Sequence, residues 1–156
     1  MAHQHYKGTG KVHSFRGLLA HGAQRKIRIQ GPVGEMAWRI TNFSSIDGAP
    51  GTAHVESIMK IYREKQSSID GSVNFDDAEL LGVSYYTESD EHNEPGFVTV
   101  IFDNALFSRD IYVTNFLAST QSAVNYYIEL EEVKVSAAGM AQLAVAAARR
   151  TYVPGT

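Results

Sequence analysis

Apolar and polar residues alternate with a period of two in one short stretch after another, and a glycine- or proline-bearing turn closes most of them. Lys26-Ile27-Arg28-Ile29-Gln30 alternates as a strand with one wet face should. Gly31-Pro32-Val33-Gly34 follows as a turn, since proline fixes φ and glycine permits positive φ. Met36 to Phe43 then sets Trp38 and Ile40 against Arg39 and Thr41, and Asp47-Gly48-Ala49-Pro50-Gly51 ends it. Ser57 to Arg63 and Leu80 to Thr87 continue the pattern. Gly82, inside the second of these, marks a close backbone approach or a bulge. Phe97 to Phe102 is an almost unbroken apolar run, the pattern of a strand buried on both faces. Ile111 to Phe116 and Asn125 to Val135 complete about seven strands.

The last of them changes parity. Tyr126, Ile128 and Leu130 share one face, whereas Val133 and Val135 fall on the other, across Glu131-Glu132. An extra residue near Glu131 or Glu132, a β-bulge, would keep all five inward; the alternative is that a second layer covers the opposite face. Ser136 can cap a helix over 137–150, whose alanines cost little and whose Arg149-Arg150 suit the negative end of the helix dipole. No βαβ alternation is present. The expected fold is therefore mainly β, an antiparallel sandwich or barrel of jelly-roll type, with an extended N-terminal arm and one C-terminal helix. Its parts are an arm over 1–25, a body over 26–136, the helix over 137–150 and a tail over 151–156.

Charge is divided just as sharply. The first 34 residues hold six Lys/Arg and no Asp or Glu, whereas the remainder holds eight Lys/Arg against seventeen Asp/Glu, so +6 precedes −9. A basic segment joined to an acidic body suits a negative partner. The glycine-rich stretch 1–25 has too few apolar groups to pack by itself, and Phe15, Leu18 and Leu19 are its anchors onto another surface. Arg16, Arg25, Lys26 and Arg28 are the cations expected to dock there. Glu88, Asp90, Glu91 and Glu94, with Glu129 and Glu131, are the acidic groups expected to receive them.

Catalytic chemistry finds little purchase. The chain has no cysteine, which removes thiolate zinc sites, disulfides and cysteine nucleophiles. His3, His5, His13, His21, His54 and His92 follow no H-E-x-x-H spacing. The acids between Glu88 and Glu94 do not follow a calcium-loop pattern. Gly8-Thr9-Gly10-Lys11 lacks the spacing of a phosphate loop, and Ser84 lacks the second glycine of a nucleophile elbow. Neither enzyme activity, nor a cofactor, nor a metal is expected. No apolar run approaches the roughly 20 residues that cross a bilayer, so no membrane partner is expected either. Adjacent tyrosines such as Tyr85-Tyr86 and Tyr126-Tyr127 must point to opposite faces of a sheet, which leaves one of each pair outside the core for a ligand or an interface.

Asp110-Ile111-Tyr112-Val113-Thr114, followed by Asn125-Tyr126-Tyr127-Ile128-Glu129-Leu130-Glu131 and an alanine-rich stretch, resembles the closing segment of bacteriophage virion structural proteins built on small β-sandwiches. The resemblance covers about 40 residues. It implies a capsid or tail component made in the host cytoplasm and incorporated in the virion, with copies of itself and other virion proteins as partners and an arm reaching onto a neighbour. It transfers no catalytic residue. Two other expectations stand beside it: a carbohydrate-binding sandwich using Trp38 or an outward tyrosine, with or without calcium in the Glu88 to Glu94 loop, and a nucleic-acid tether through the arm. The body's net negative charge weighs against the tether.

Overall fold

A computed structural model of the chain describes residues 6–29, 36–51, 54–88, 96–102, 105–118, 122–136, 138–139 and 141–142. Eight strands follow one another: β1 (Tyr6–Leu19), β2 (Gln24–Ile27), β3 (Met36–Asp47), β4 (Val55–Tyr62), β5 (Leu80–Glu88), β6 (Gly96–Ile101), β7 (Ile111–Leu117) and β8 (Val124–Val135). They form two sheets, of order β1-β8-β3 and β2-β7-β4-β5-β6, and every pairing is antiparallel. Inward side chains of both sheets meet in one core. Trp38, Ile40, Phe43, Tyr126, Ile128 and Leu130 come from the first sheet, and Val55, Met59, Ile61, Leu81, Ile111, Val113 and Leu117 from the second. The fold is mainly β with two antiparallel sheets, compatible with a sandwich.

The segment expected as an arm is, from Tyr6 to Leu19, a 14-residue strand of the first sheet, paired to β8 of its own chain. Residues 1–5 lie outside the described residues. The chain then crosses between sheets in a few residues, and a buried amide secures the crossing. Asn115 Nδ2 donates to Leu19 O at 2.8 Å, while Gly22 N donates to Asn115 O at 2.8 Å and Asn115 N to Ala23 O at 3.1 Å. Between the sheets, the Ser45 and Ser84 hydroxyls share a buried hydrogen bond of 2.8 Å. Gly82 permits the close approach there: a Cβ on it would stand 3.3 Å from Val100 O and 3.7 Å from the Phe43 ring.

Three expectations change. The parity switch in β8 is not a bulge in β8. Its register with β3 runs unbroken from Met36↔Lys134 to Ile40↔Leu130, and Val133 is buried on the opposite face with Ala37 and Leu106. The extra residues belong to its partners, at Thr41 in β3 and between Gly8 and Val12 in β1. Gly10 supplies the left-handed turn of the latter at φ 78°, which explains the Gly8-Thr9-Gly10-Lys11 sequence without any phosphate. Second, Phe97 to Phe102 is not buried on both faces: β6 is an edge strand, with Phe97 75% and Val98 59% exposed. β4, which lies between β7 and β5, and the first half of β5 are buried on both faces. Third, the described residues give no support to the helix over 137–150. Of it they include only Ala138, Gly139, Ala141 and Gln142, with Gly139 N donating to Ser136 Oγ at 3.1 Å, and the rest of the helix and the tail over 151–156 lie outside them.

The long connection over 63–79 explains the second face of β4. It lies on the outer side of the five-stranded sheet, where Ile58, Tyr62, Leu80 and Val83 form a second apolar cluster. Lys60, 2% exposed, ends there: its Nζ donates to Asp70 Oδ1 at 3.2 Å and to Ser72 O at 2.6 Å. A buried ammonium without partners would cost several kcal/mol, so these two acceptors let the sheet carry it.

The hydrogen bond from Lys60 holds the Asp70 carboxyl below its ordinary value of 3.8. Its contribution is therefore present above that unfolded-state value and is lost as pH falls through the lower folded one. Asp70→Asn should lower stability near neutral pH by at most about 1 kcal/mol, because Asp70 is itself largely exposed. It should also make thermal stability fall less steeply below about pH 4. Tyr86 gives the opposite limb: burial, then its hydrogen bond to Glu88, raises its hydroxyl to about 12 from 10. That contribution is whole below pH 10 and lost between 10 and 12, so Tyr86→Phe should flatten the alkaline limb of the same melting series.

Candidate assembly surface

The first sheet presents its core side to the second sheet, and beyond the Ala37, Val133 and Leu106 cluster its other side is uncovered by the described residues. Opposed residues share a face, so the register defines that open surface as four rows across β1, β8 and β3. They are Val12-Glu131-Arg39, Ser14-Glu129-Asn42, Arg16-Tyr127-Ser44 and Leu18-Asn125-Ile46. One end is apolar: Leu18 is 50%, Ile46 56% and Tyr127 37% exposed. The other end is charged, with Arg39 Nε 2.9 Å from Glu131 Oε1. Between them the Tyr127 hydroxyl donates to Glu129 Oε1 at 2.8 Å, and that bond raises the tyrosine's pKa.

Four of the residues singled out from sequence come together here: Arg16 and Leu18 from the basic segment, Glu129 and Glu131 from the acidic one. Others go elsewhere for a simple reason. In a strand, neighbours point to opposite faces, so Phe15 packs against the core and Leu19 is 2% exposed within it. Both stand opposite residues of the chain's own β8, Ile128 and Val124. Arg25 donates from Nη2 to Leu18 O at 3.2 Å and from Nη1 to the Tyr126 hydroxyl at 3.5 Å. Lys26 lies 3.4 Å from Asp110. Arg28 lines a cavity of about 410 Å³ with His13, Phe15, Ile29, Trp38 and Leu130.

On the acidic side, Glu88 accepts from Gly51 N at 2.7 Å and from the Tyr86 hydroxyl at 3.1 Å. Asp90, Glu91 and Glu94 lie outside the described residues. Ion pairs within the chain already occupy part of both charge sets, since Lys26 meets Asp110 and Arg39 meets Glu131. Arg16 has no ion-pair partner among the described residues.

Trp38, the expected sugar platform, is 4% exposed and packs edge-on against His13 with ring centroids 5.1 Å apart. The described residues contain no group of three or more His, Asp or Glu that could hold a metal ion, and no helix among them is long and apolar enough to cross a membrane. Val12 and Ile46 complete the open face although sequence reasoning did not select them. Ile46 lies past the expected strand end at Phe43, whereas Tyr127 was visible in the Tyr126-Tyr127 pair. No known family model matches the chain, and no curated protein is recognisably similar to it.

Two adjacent leucines should behave very differently. Leu19→Ala should cost about 2 to 5 kcal/mol in denaturant unfolding, as for a core truncation. Leu18→Ala should stay within about 0.5 kcal/mol. If both leave the isolated chain's stability unchanged, β1 is a detachable arm after all.

Proposed function

We propose that this chain is a non-enzymatic structural protein that self-assembles, a capsid or tail component of a bacteriophage particle, and that its body is a jelly-roll sandwich. Strand order supports the fold part of this reading. A jelly roll nests its pairs, first strand with last and second with last but one; here β1 pairs with β8, β2 with β7 and β4 with β5. Only β6 departs, pairing with β5 rather than with β3. Capsid subunits and lectins share this architecture, so the fold leaves the role open and the surface has to argue it.

The observation that carries the reading is the open face of the first sheet. A two-fold axis crossing its strands between Tyr127 and Glu129 would lay Leu18 of one copy on Val12 of the other. Arg16 would then stand beside the partner's Glu129, and Ile46 on the stem of its Arg39. Such an isologous contact sets Arg16 against a carboxylate and lays the apolar end, Leu18 and Ile46, on Val12 and the Arg39 stem at the charged end of the other copy. The basic segment meets the acidic body of another copy, as its charge suggests, but as a paired strand rather than a swinging arm. Burial of Trp38 weighs against a carbohydrate-binding module on that residue. Engagement of Arg25 and Lys26 within the chain weighs against a nucleic-acid tether.

The native mass should exceed that of the monomer at low salt and fall as salt rises, because rim ion pairs are screened within about 8 to 10 Å at moderate ionic strength. Leu18→Lys should weaken the contact at least tenfold in sedimentation equilibrium with an unchanged circular dichroism spectrum. Wild-type protein that stays monomeric at low salt and high concentration would end the proposal.

A further inference from the structure

We infer that the free edge of β6 is a second interface, at which two copies of this chain pair antiparallel about a two-fold axis at Val98. The inference rests on the self-assembly reading above and adds to it a contact separate from the open sheet face.

β6 closes the order β2-β7-β4-β5-β6, so one edge bonds β5 and the other hydrogen-bonds no strand among the described residues, although part of β3 runs close by. Phe97 and Val98, 75% and 59% exposed, are the two most exposed large apolar side chains described. They lie on opposite faces, since Phe97 opposes Tyr86 of the core and Val98 opposes Tyr85 outside it. Gly96 to Ile101 contains no ionisable residue and no proline. Proteins usually protect a sheet edge with charges, prolines or bulges, because an unpaired row of amides and carbonyls recruits another strand. Here the composition is that of a buried strand.

Charge selects the occupant. The other edge strands carry ionised groups: Lys11 and Arg16 on β1, Arg25 and Lys26 on β2, Arg39 and Asp47 on β3. Pairing β6 with any of these would bring a charge against an apolar strand, and pairing two β2 edges would gather four cations. Only β6 against β6 sets no charge in the seam. Antiparallel pairing is also the more stable of the two edge geometries per residue.

Sedimentation equilibrium of wild type, Val98→Lys, Leu18→Lys and the double variant tests this, with hydrogen exchange of the amides of residues 96 to 101 at low and high concentration. Val98→Lys should stop assembly at the dimer held by the sheet face, and the double variant should be monomeric. Protection of those amides should rise at least tenfold with concentration in wild type and Leu18→Lys but not in Val98→Lys. Phe97→Lys, also at an exposed position, should reproduce Val98→Lys and guards against a folding defect in one variant. Wild-type mass in Val98→Lys would overturn this contact alone. So would full protection of the β6 amides in dilute monomer, which would mean that another part of the same chain covers the edge. A monomeric wild type would overturn both contacts.

Discussion

β8 must hold register with a strand on each side while it supplies the core with Val124, Tyr126, Ile128 and Leu130. That double obligation shapes the first sheet. Its inward parity fails past Leu130, where Glu131, Glu132 and Val133 follow. β8 runs on regularly, and Ala37 and Leu106 cover Val133 on the far side. The adjustment falls on the flanking strands, which among the described residues pair with a strand on one edge only, β3 having a single bridge from Trp38 to Phe107 on the other, and can take up extra residues at lower cost in lost hydrogen bonds. Thr41 shifts β3 so that Phe43 turns inward. Gly10 lets β1 bend between Gly8 and Val12, with Thr9 Oγ1 donating to Glu132 O at 3.1 Å.

Much of this was legible as period and turn chemistry. The body strands lie near their expected positions because alternation and glycine-proline turns are local signals. The first strand was not legible, since its glycines hide the alternation His13, Phe15, Gly17, Leu19, whose inward members include a glycine. A Cβ on the inward Gly17 would stand 2.6 Å from the Tyr126 hydroxyl and displace it together with the Arg25 guanidinium. Periodicity counts such a residue as absent when it is the one the site requires. The β6 error has a different origin. An uncharged run reads identically whether neighbours bury it or it lies at an edge, and only sheet order separates the two cases.

The candidate surface was half legible for the same reason. Charge partition identified Arg16, Glu129 and Glu131, because composition needs no geometry. It also gathered Arg25 and Lys26, which geometry commits to Leu18, Tyr126 and Asp110 inside the chain. Parity would have separated Leu18 from Leu19 once residues 6–19 were known to be a strand. Sequence thus indicated which charges attract; pairing determines which of them remain available to a neighbour.

In the proposed self-assembly, the departure of β6 from the nested order has a consequence. In a jelly roll the sixth strand would pair with β3 and extend the first sheet to four strands. Here β6 pairs with β5, so the five-stranded sheet keeps one neutral edge and the first sheet keeps three strands with an open face. In that assembly each β6 offers one edge that is unpaired among the described residues, so edge pairing ends at two copies. An isologous face contact likewise ends at two. Growth past a dimer requires the two contacts to alternate, and a closed ring made that way contains an even number of copies. The angle between the two axes then decides whether the alternation closes or extends as a filament, and sheet twist, about 20 to 25° per strand, contributes to that angle.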